Sequence, residues 1–322
     1  MFIDAVTAAR IDRAEAGLSI AIAGFARAAD PGSGQVWELG GGAAVLVRAG
    51  SPINKVIGVG FTGPIDERAL VEVEAAWHRH GEPVRVELAS VAAVEALAQL
   101  GARGYRLIGL EHVLVRRLGA EDAHRQPSAD IEVDQDAPED AWLSTLVDGF
   151  AAPDGTGQPV DTYTREAIAA VMRDFAGAPG FDRHVARLGG AVVGAATMRV
   201  HEGVALLCGA STLPVARGRG VQAALLAARL RSATLAGCAL AVATTAPGSQ
   251  SQRNVMRQGF TLAYVRAILV LDVAAVERGP SLRRPHQLQG GARARPERQP
   301  RVAARRGDDL GRVPENRLVH AD

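Results

Sequence analysis

The 322-residue chain is poor in lysine and cysteine. Lys55 is the only lysine, so almost every one of the 36 basic residues is an arginine. Cys208 and Cys238 are the only cysteines, and both have apolar neighbours. Two such cysteines form neither a disulfide framework nor a metal-ligand spacing, so we expect small core residues, no bound metal and a reducing, cytoplasmic location.

Long apolar runs are also missing. No stretch reaches the roughly 18 uninterrupted apolar residues of a membrane-spanning helix, and Met1–Arg13 carries Asp4 and Asp12 in place of a basic signal-peptide start. We therefore expect no membrane partner and no secretory leader. The formal net charge is only +1, so no global positive field attracts nucleic acid.

The charge is unevenly distributed along the chain. Residues 276–322 contain 11 arginines and 6 acidic residues, a net charge of +5, which leaves −4 for residues 1–275. This tail has no apolar periodicity and too few apolar residues to form a core, so we predict that it is disordered. Three interpretations stay open: an inert extension, an arginine-rich arm that binds nucleic acid, or an out-of-frame extension.

A strand, a glycine-rich turn and a helix start form the most informative stretch of the sequence. The apolar run Leu206–Leu213 predicts a buried strand that ends at Pro214. Ala223–Leu235 has apolar residues at helical spacing, which places Arg229 toward the other side of the helix. Between them, Gly218 and Gly220 permit positive φ and close approach of a ligand. Free N–H groups at a helix start attract anions, which predicts a phosphate site strengthened by neighbouring arginines.

The segment Arg217-Gly-Arg-Gly-Val-Gln222 resembles the pyrophosphate loop of the GCN5-related N-acetyltransferase (GNAT) superfamily, whose usual form is Gln/Arg-x-x-Gly-x-Gly/Ala. Arg217 and Gly220 match, whereas Gln222 replaces the final small residue. The elements that follow are also similar to the family over about 130 residues in total. They are a short strand at Ala239–Thr244, a short helix at Ser251–Gln258, then Gly259-Phe260 and a long strand to Val273.

The resemblance implies that acetyl-CoA binds as the acyl donor where strands four and five of the family splay apart. It places residues beside the pantetheine arm and around the pyrophosphate, and Asn254 within reach of the donor. These candidate donor-binding residues are Thr212, Leu213, Val215, Arg217, Gly218, Arg219, Gly220, Val221, Gln222 and Asn254. An amine acceptor would then attack the thioester directly.

Catalytic residues stay unassigned, because two residues that often accept or donate a proton in the family are replaced. Leu206 stands where a glutamate is common, and Val255 where a tyrosine is common. His184, His201 and Glu202 are weak candidates for proton acceptors, expected mainly to be solvated surface groups. We predict an N-acyltransferase that acts on a small molecule or a protein amine. A non-catalytic acyl-CoA-binding protein is the alternative, and a nucleic-acid-binding protein that uses the tail is a third hypothesis. An oligomer is left open.

The chain also repeats itself at a spacing of about 155 residues. The segment from Gly104 aligns with the segment from Gly259, Val84–Leu88 with Ala239–Ala243, and the helix at Glu67 with the helix at Ala223. At the loop position, however, the first copy has Pro64 and Asp66 and lacks the arginines.

The predicted fold class is therefore α/β (α+β), with two GNAT-like domains, each a mixed, mostly antiparallel sheet flanked by helices. The predicted boundaries are 1–120 for a degenerate domain, 121–136 for a linker, 137–275 for the acetyl-CoA-binding domain and 276–322 for the tail.

Overall fold

The structure, a computed structural model, describes residues 3–127, 130–135, 137–152 and 163–272. The described residues belong to one compact unit and form a mixed α/β fold in which a mostly antiparallel sheet is flanked by helices. The predicted fold class is thereby confirmed. The predicted disordered tail, 276–322, lies outside the described residues.

The described residues form helices and strands in both halves of the chain. The N-terminal half contains α1 (Ala5–Ala29), β1 (Gln35–Leu39), β2 (Gly42–Leu46), β3 (Lys55–Ile57), α2 (Glu67–Arg79), β4 (Val84–Ala89), α3 (Val94–Ala102) and β5 (Arg106–Arg117). The C-terminal half contains β6 (Ile131–Asp134), α4 (Glu139–Phe150), α5 (Arg165–Gly177), β7 (Phe181–Leu188), β8 (Ala191–His201), β9 (Val204–Leu206), β10 (Ala210–Thr212), α6 (Val221–Leu235), β11 (Leu240–Thr245), α7 (Gln250–Arg257) and β12 (Thr261–Leu271).

All of these strands belong to a single 12-stranded sheet. Its order is β1-β2-β3-β4-β12-β5-β11-β9-β8-β7-β6, with β10 paired to β8. Two strand pairs are parallel, β3 with β4 and β9 with β11, and the other pairs are antiparallel. Equivalent parallel pairs thus lie on the two sides of the central pair β5 and β12.

The two halves exchange their last strands. The final strand of the C-terminal half, β12, lies between β4 and β5 of the N-terminal half, and β5 in turn pairs with β11 of the C-terminal half. Each half therefore completes its sheet with a strand from the other. The domain boundaries proposed from the sequence stay a prediction, but hydrogen bonds of the sheet cross them.

The largest hydrophobic cluster also joins the halves. It brings Ile11 and Ile22 of α1 together with Trp142 of α4, Leu206 of β9 and Val242 of β11. Each of these side chains is at most 4% exposed. Because burial of apolar surface is the main favourable contribution to folding, α1 helps to stabilise the sheet region next to the predicted donor site.

A buried cluster of charges lies where α1 crosses the exchanged strands. Arg266 of β12 contacts Asp12 at 2.6 Å, Glu15 at 2.7 Å and Glu111 at 3.0 Å. Lys55, the only lysine, binds Glu15 at 2.8 Å and Glu87 at 3.1 Å. Glu15, Glu87 and Glu111 are grouped closely enough to hold a metal ion, but the two cationic side chains already neutralise them in part.

The cluster has four carboxylates and two cations, so the protonation of its members differs. Burial alone would raise the pKa of Glu15, but the charges of Arg266 and Lys55 outweigh burial and lower it to about 2. Burial and the adjacent Glu87 carboxylate raise the pKa of Glu111 to about 7. The Glu111 side chain is 25% exposed, so water can exchange its proton.

The raised pKa of Glu111 predicts a pH-dependent stability. Between its ordinary pKa of 4.5 and about 7, the folded state binds this proton more tightly than the unfolded state. Its contribution to the free energy of unfolding should therefore fall with rising pH, by up to about 3 kcal/mol. Glu111→Gln removes this titration. The free energy of unfolding of the variant should therefore rise relative to that of the wild type as the pH rises from 4.5 to 7.

Urea unfolding at a series of pH values measures this difference. Glu72→Gln is the control, because Glu72 is an exposed carboxylate in an i,i+4 pair on α2. That variant should follow the wild-type pH profile. Parallel profiles for Glu111→Gln and the wild type would show that Glu111 does not bind an additional proton in the folded state.

Among the described residues, no helix has the length and apolar character needed to cross a membrane.

Candidate functional site

The sheet opens between β10 and β11. The parallel pairing of β9 with β11 ends at Leu206 and Val242, and one further backbone bond joins Leu207 N–H to the Val242 carbonyl at 2.8 Å. The chain then bulges, because Thr197 N–H donates to the carbonyls of both Cys208 and Gly209. Among the described residues, β10 pairs only with β8, so its other edge faces the opening.

The loop after β10 leads to a helix start without a side-chain cap. Gly218 and Gly220 have φ values of +75° and +85°, a region that glycine adopts without steric cost. Gly220 is the N-cap residue of α6, and no side chain accepts a hydrogen bond from the first turn. The first N–H groups of α6 are therefore available to an anionic ligand, with the helix dipole in support.

This helix start borders a cavity of about 700 Å³. The volume is typical of small-molecule and cofactor sites. Among the described residues, the lining contains no Asp or Glu and its only charged side chains are two arginines, so this part of the cavity is suited to an anionic ligand. The lining residues are Gly149, Phe150, Ala210, Ser211, Thr212, Ala216, Arg217, Gly218, Gly220, Val221, Gln222, Ala223, Leu226, Gln250, Ser251, Asn254, Arg257 and Gln258.

Seven of the ten residues predicted to bind the donor lie around this cavity. They are Thr212, Arg217, Gly218, Gly220, Val221, Gln222 and Asn254. Leu213, Val215 and Arg219 are not among the lining residues. Leu213 uses its N–H to bind the Val193 carbonyl at 2.9 Å, and Val215 is 78% exposed. Donor binding by these ten residues stays a prediction.

Arg217 stabilises the glycine-rich loop by hydrogen bonds to two backbone carbonyls. Its Nε donates to the Thr212 carbonyl at 3.3 Å, and Nη2 donates to the Ala152 carbonyl. The side chain therefore connects the glycine-rich loop with the segment that follows α4. These contacts fix the loop and leave the arginine charge without a carboxylate partner among the described residues.

Gln222, the residue that departs from the family pattern, points toward α7. Its Oε1 accepts a hydrogen bond from Asn254 Nδ2, and Asn254 Oδ1 accepts from Gln250 Nε2 at 2.8 Å and from Arg257 Nη1 at 2.9 Å. This polar network joins the first turn of α6 to α7. Sequence reasoning identified Asn254 but missed Arg257 and Gln250, which follow it and precede it at helical spacing.

The described lining offers no strong proton acceptor. It contains no His, Cys, Asp, Glu or Tyr. Cys208 lies at the bulge, where burial raises the pKa of its thiol to about 12. Leu206 and Val255 stand where a glutamate and a tyrosine are common in the GNAT superfamily, and both are buried. No general base can therefore be assigned among these residues.

The structure corrects two sequence-based expectations for polar residues. His184 is fully buried, with its Nε2 2.8 Å from Gln135 Nε2, and burial lowers its pKa to about 4. Its imidazole is therefore neutral at pH 7.

Arg229, expected on the outer side of α6, is also buried, and it donates to the carbonyls of Leu225 and Thr197. His201 is half-buried and Glu202 is exposed, with His201 Nε2 3.9 Å from the Glu202 carboxylate.

The equivalent loop in the N-terminal half is closed. Asp66 caps α2, and its carboxylate accepts from Ala69 N–H at 2.7 Å. The Gln99 side chain of α3 binds both the N–H and the carbonyl of Ile65, each at 2.8 Å. A Cβ at Gly60 would lie 3.0 Å from Ala96 Cβ, so α3 packs tightly on the loop. A protein carboxylate and side-chain amide thus occupy the positions where α6 leaves its N–H groups open.

Comparisons with known proteins agree with this geometry. Residues 150–260 match the Acetyltransferase (GNAT) family. A GCN5-related N-acetyltransferase from Kribbella flavida is 17% identical, with a TM-score of 0.58 over 81% of this chain and 94% of that chain. This likeness supports the fold.

Two further solved structures are less similar. A GCN5-related N-acetyltransferase from Sphaerobacter thermophilus is 15% identical, with a TM-score of 0.46 over 64% of this chain and 66% of its own. A tandem GNAT protein from the clavulanic acid biosynthesis pathway is also 15% identical, with a TM-score of 0.47 over 71% and 73%. No curated protein matches the chain.

Proposed function

We propose that this chain is an acetyl-CoA-dependent N-acyltransferase, and the match of residues 150–260 to the Acetyltransferase (GNAT) family supports this proposal. The acetyl group would pass directly from the donor to an amine of a small molecule or a protein. The observation that carries this proposal is the uncapped N-terminus of α6, which opens into a cavity beside splayed strands whose described lining residues include no acid.

The cavity fits an elongated anionic donor. Backbone N–H groups at the start of α6 would bind the diphosphate, as helix N-termini with glycine-rich loops do. The free edge of β10 would hold the pantetheine arm by backbone hydrogen bonds, in an extended conformation that matches a strand. When bound, acetyl-CoA supplies an activated acyl group on sulfur, whose thiolate is a good leaving group.

The contribution of the protein to the chemistry would be mainly orientation. Bringing an amine and a thioester together converts a bimolecular reaction into a nearly unimolecular one. A neutral amine can attack the thioester carbonyl, and its proton would then pass to water, because the described lining has no titratable base.

A second function is favoured by the same absence. Leu206 and Val255 stand where the family commonly has a glutamate and a tyrosine that transfer protons. On this alternative, the chain would be a non-catalytic protein that binds acyl-CoA. This alternative predicts donor binding without any acceptor-dependent release of CoA.

A turnover assay separates the two functions. The intact chain is incubated with acetyl-CoA and a panel of amines that includes amino acids, polyamines, amino sugars and peptides, and free CoA thiol is measured. We expect release that depends on at least one amine and is lost in Gly220→Asp. Calorimetric binding of acetyl-CoA without amine-dependent release would favour the non-catalytic function. Absence of both binding and release would contradict both functions.

A cytoplasmic location forms part of the proposal, and it rests on the sparse, free cysteines. The acceptor is an unidentified amine, and neither nucleic acid nor a membrane is proposed as a partner.

A further inference from the structure

Among the residues that the structure describes, Arg257 is the one charged side chain that lines the cavity on the side of α7. Its Nη1 donates to Asn254 Oδ1 at 2.9 Å. No carboxylate within the described part of the chain forms an ion pair with it. A guanidinium has five N–H donors in a planar fork that matches a phosphate group, and this contact uses only one nitrogen.

The polar network holds Arg257 at a defined place relative to α6. Asn254 Oδ1 accepts two hydrogen bonds, and its Nδ2 donates to Gln222 in the first turn of α6. The orientation of the Asn254 amide is therefore fixed from both sides. Through this amide, the guanidinium of Arg257 is kept close to the open N–H groups of α6 but separate from them.

The other arginines near the site are arranged differently. Arg217 is engaged with two backbone carbonyls, and Arg219 does not line the cavity. Arg253, one turn before Arg257 on α7, also lies outside the lining, and all three of its guanidinium nitrogens bind Gln250 or the Gly248 carbonyl.

We infer that Arg257 binds a second phosphate of the donor, the 3′-phosphate on the ribose of CoA, while the N-terminus of α6 binds the diphosphate. This inference rests on the proposed function. CoA carries both groups on one nucleotide, a short distance apart. Arg257 is then a specificity-determining residue, which makes the site discriminate CoA from its 3′-dephospho form.

Calorimetric titration of the intact chain with CoA and with 3′-dephospho-CoA tests this inference. The wild type should bind CoA about 10-fold or more tightly than dephospho-CoA, the range expected for one charge-assisted contact. Arg257→Gln should weaken CoA binding to the level of dephospho-CoA and leave dephospho-CoA binding unchanged. Arg253→Gln, which removes the same charge from the same helix, should keep the wild-type preference.

The possible outcomes are distinct. Equal weakening of both ligands by Arg257→Gln would overturn the inference, because Arg257 would then only position Asn254. Equal affinity of the wild type for both ligands would also overturn it, while leaving the proposed function intact. If neither ligand binds the wild type, the proposed function and the inference both fail. Thermal unfolding of each variant verifies that the fold is retained.

Discussion

Gly220→Asp is expected to abolish acetyl-CoA binding while the protein remains folded. The aspartate would bring a carboxylate next to the open first turn of α6, although the φ of +85° at this position differs from the φ of −57° at Asp66, which caps α2. A negative charge would then lie where the donor diphosphate is proposed to bind. We expect a loss of affinity of about 100-fold or more, since charge-assisted bonds are replaced by repulsion.

Gly220→Ala is the matched control for backbone strain. A Cβ at this position meets only Ile131 Cδ1, at 3.6 Å, but the φ of +85° is unfavourable for alanine as well. Both variants should therefore lose about 1 kcal/mol of stability, whereas only the aspartate adds charge. Calorimetric titration compares their affinities. Wild-type affinity in Gly220→Asp would contradict the placement of the donor at α6.

Arg266→Met is expected to cause the largest loss of stability. Arg266 is fully buried and holds Asp12, Glu15 and Glu111 together. Its removal leaves these carboxylates with Lys55 as the only cation of the cluster. Breaking a buried ion pair on one side costs about 3–5 kcal/mol, which is a large part of the total stability of a typical protein.

Two further variants make this expectation testable even if Arg266→Met does not fold. Arg266→Lys keeps the charge but loses the planar fork, so we expect a smaller but measurable decrease in the unfolding midpoint. Arg106→Met breaks the ion pair with Asp272, which directly follows β12. Because Arg106 is 62% exposed, this change should cost less than about 1 kcal/mol. Similar midpoints for all three variants in urea would contradict the importance of the buried cluster.

The sequence predicts the local structure of the site well, because the signals are local. Apolar periodicity and glycine positions predict the order from α6 to β12, and Gly218 and Gly220 have the expected positive φ. The single strand expected over Leu206–Leu213 is divided by the bulge at Cys208 and Gly209 into β9 and β10. The paired glycines at the turn between β7 and β8 also predict that hairpin. Gly40 and Gly41 likewise turn the chain between β1 and β2.

The exchange of β5 and β12 cannot be read from the sequence. Both strands begin after a glycine, and both are rich in apolar residues, so either strand satisfies the pattern of a partner in its own half. The choice depends on contacts between residues far apart in the chain. One signal was nevertheless present: Lys55, Glu87, Glu111 and Arg266 each interrupt an apolar strand, and buried charges require partners.

Side-chain contacts of the site were also beyond local reasoning. A polar residue on an amphipathic element is usually solvated. This rule gave the wrong prediction for His184 and Arg229, which are both buried. Arg257 was missed because an arginine near the end of a short helix resembles any exposed residue. Its position beside the cavity depends on how α7 packs against β11 and α6, which the helical spacing of α7 alone does not define.

Hydrogen–deuterium exchange of the intact chain, with and without acetyl-CoA, tests the central claim most directly. One half of the protein has an uncapped helix start at α6, where the donor is proposed to bind, and the other half has a capped helix start at α2. We expect acetyl-CoA to slow exchange in peptides that cover 209–223 and 250–258, with no change in 58–70. Protection at 58–70, or none at 209–223, would contradict the account.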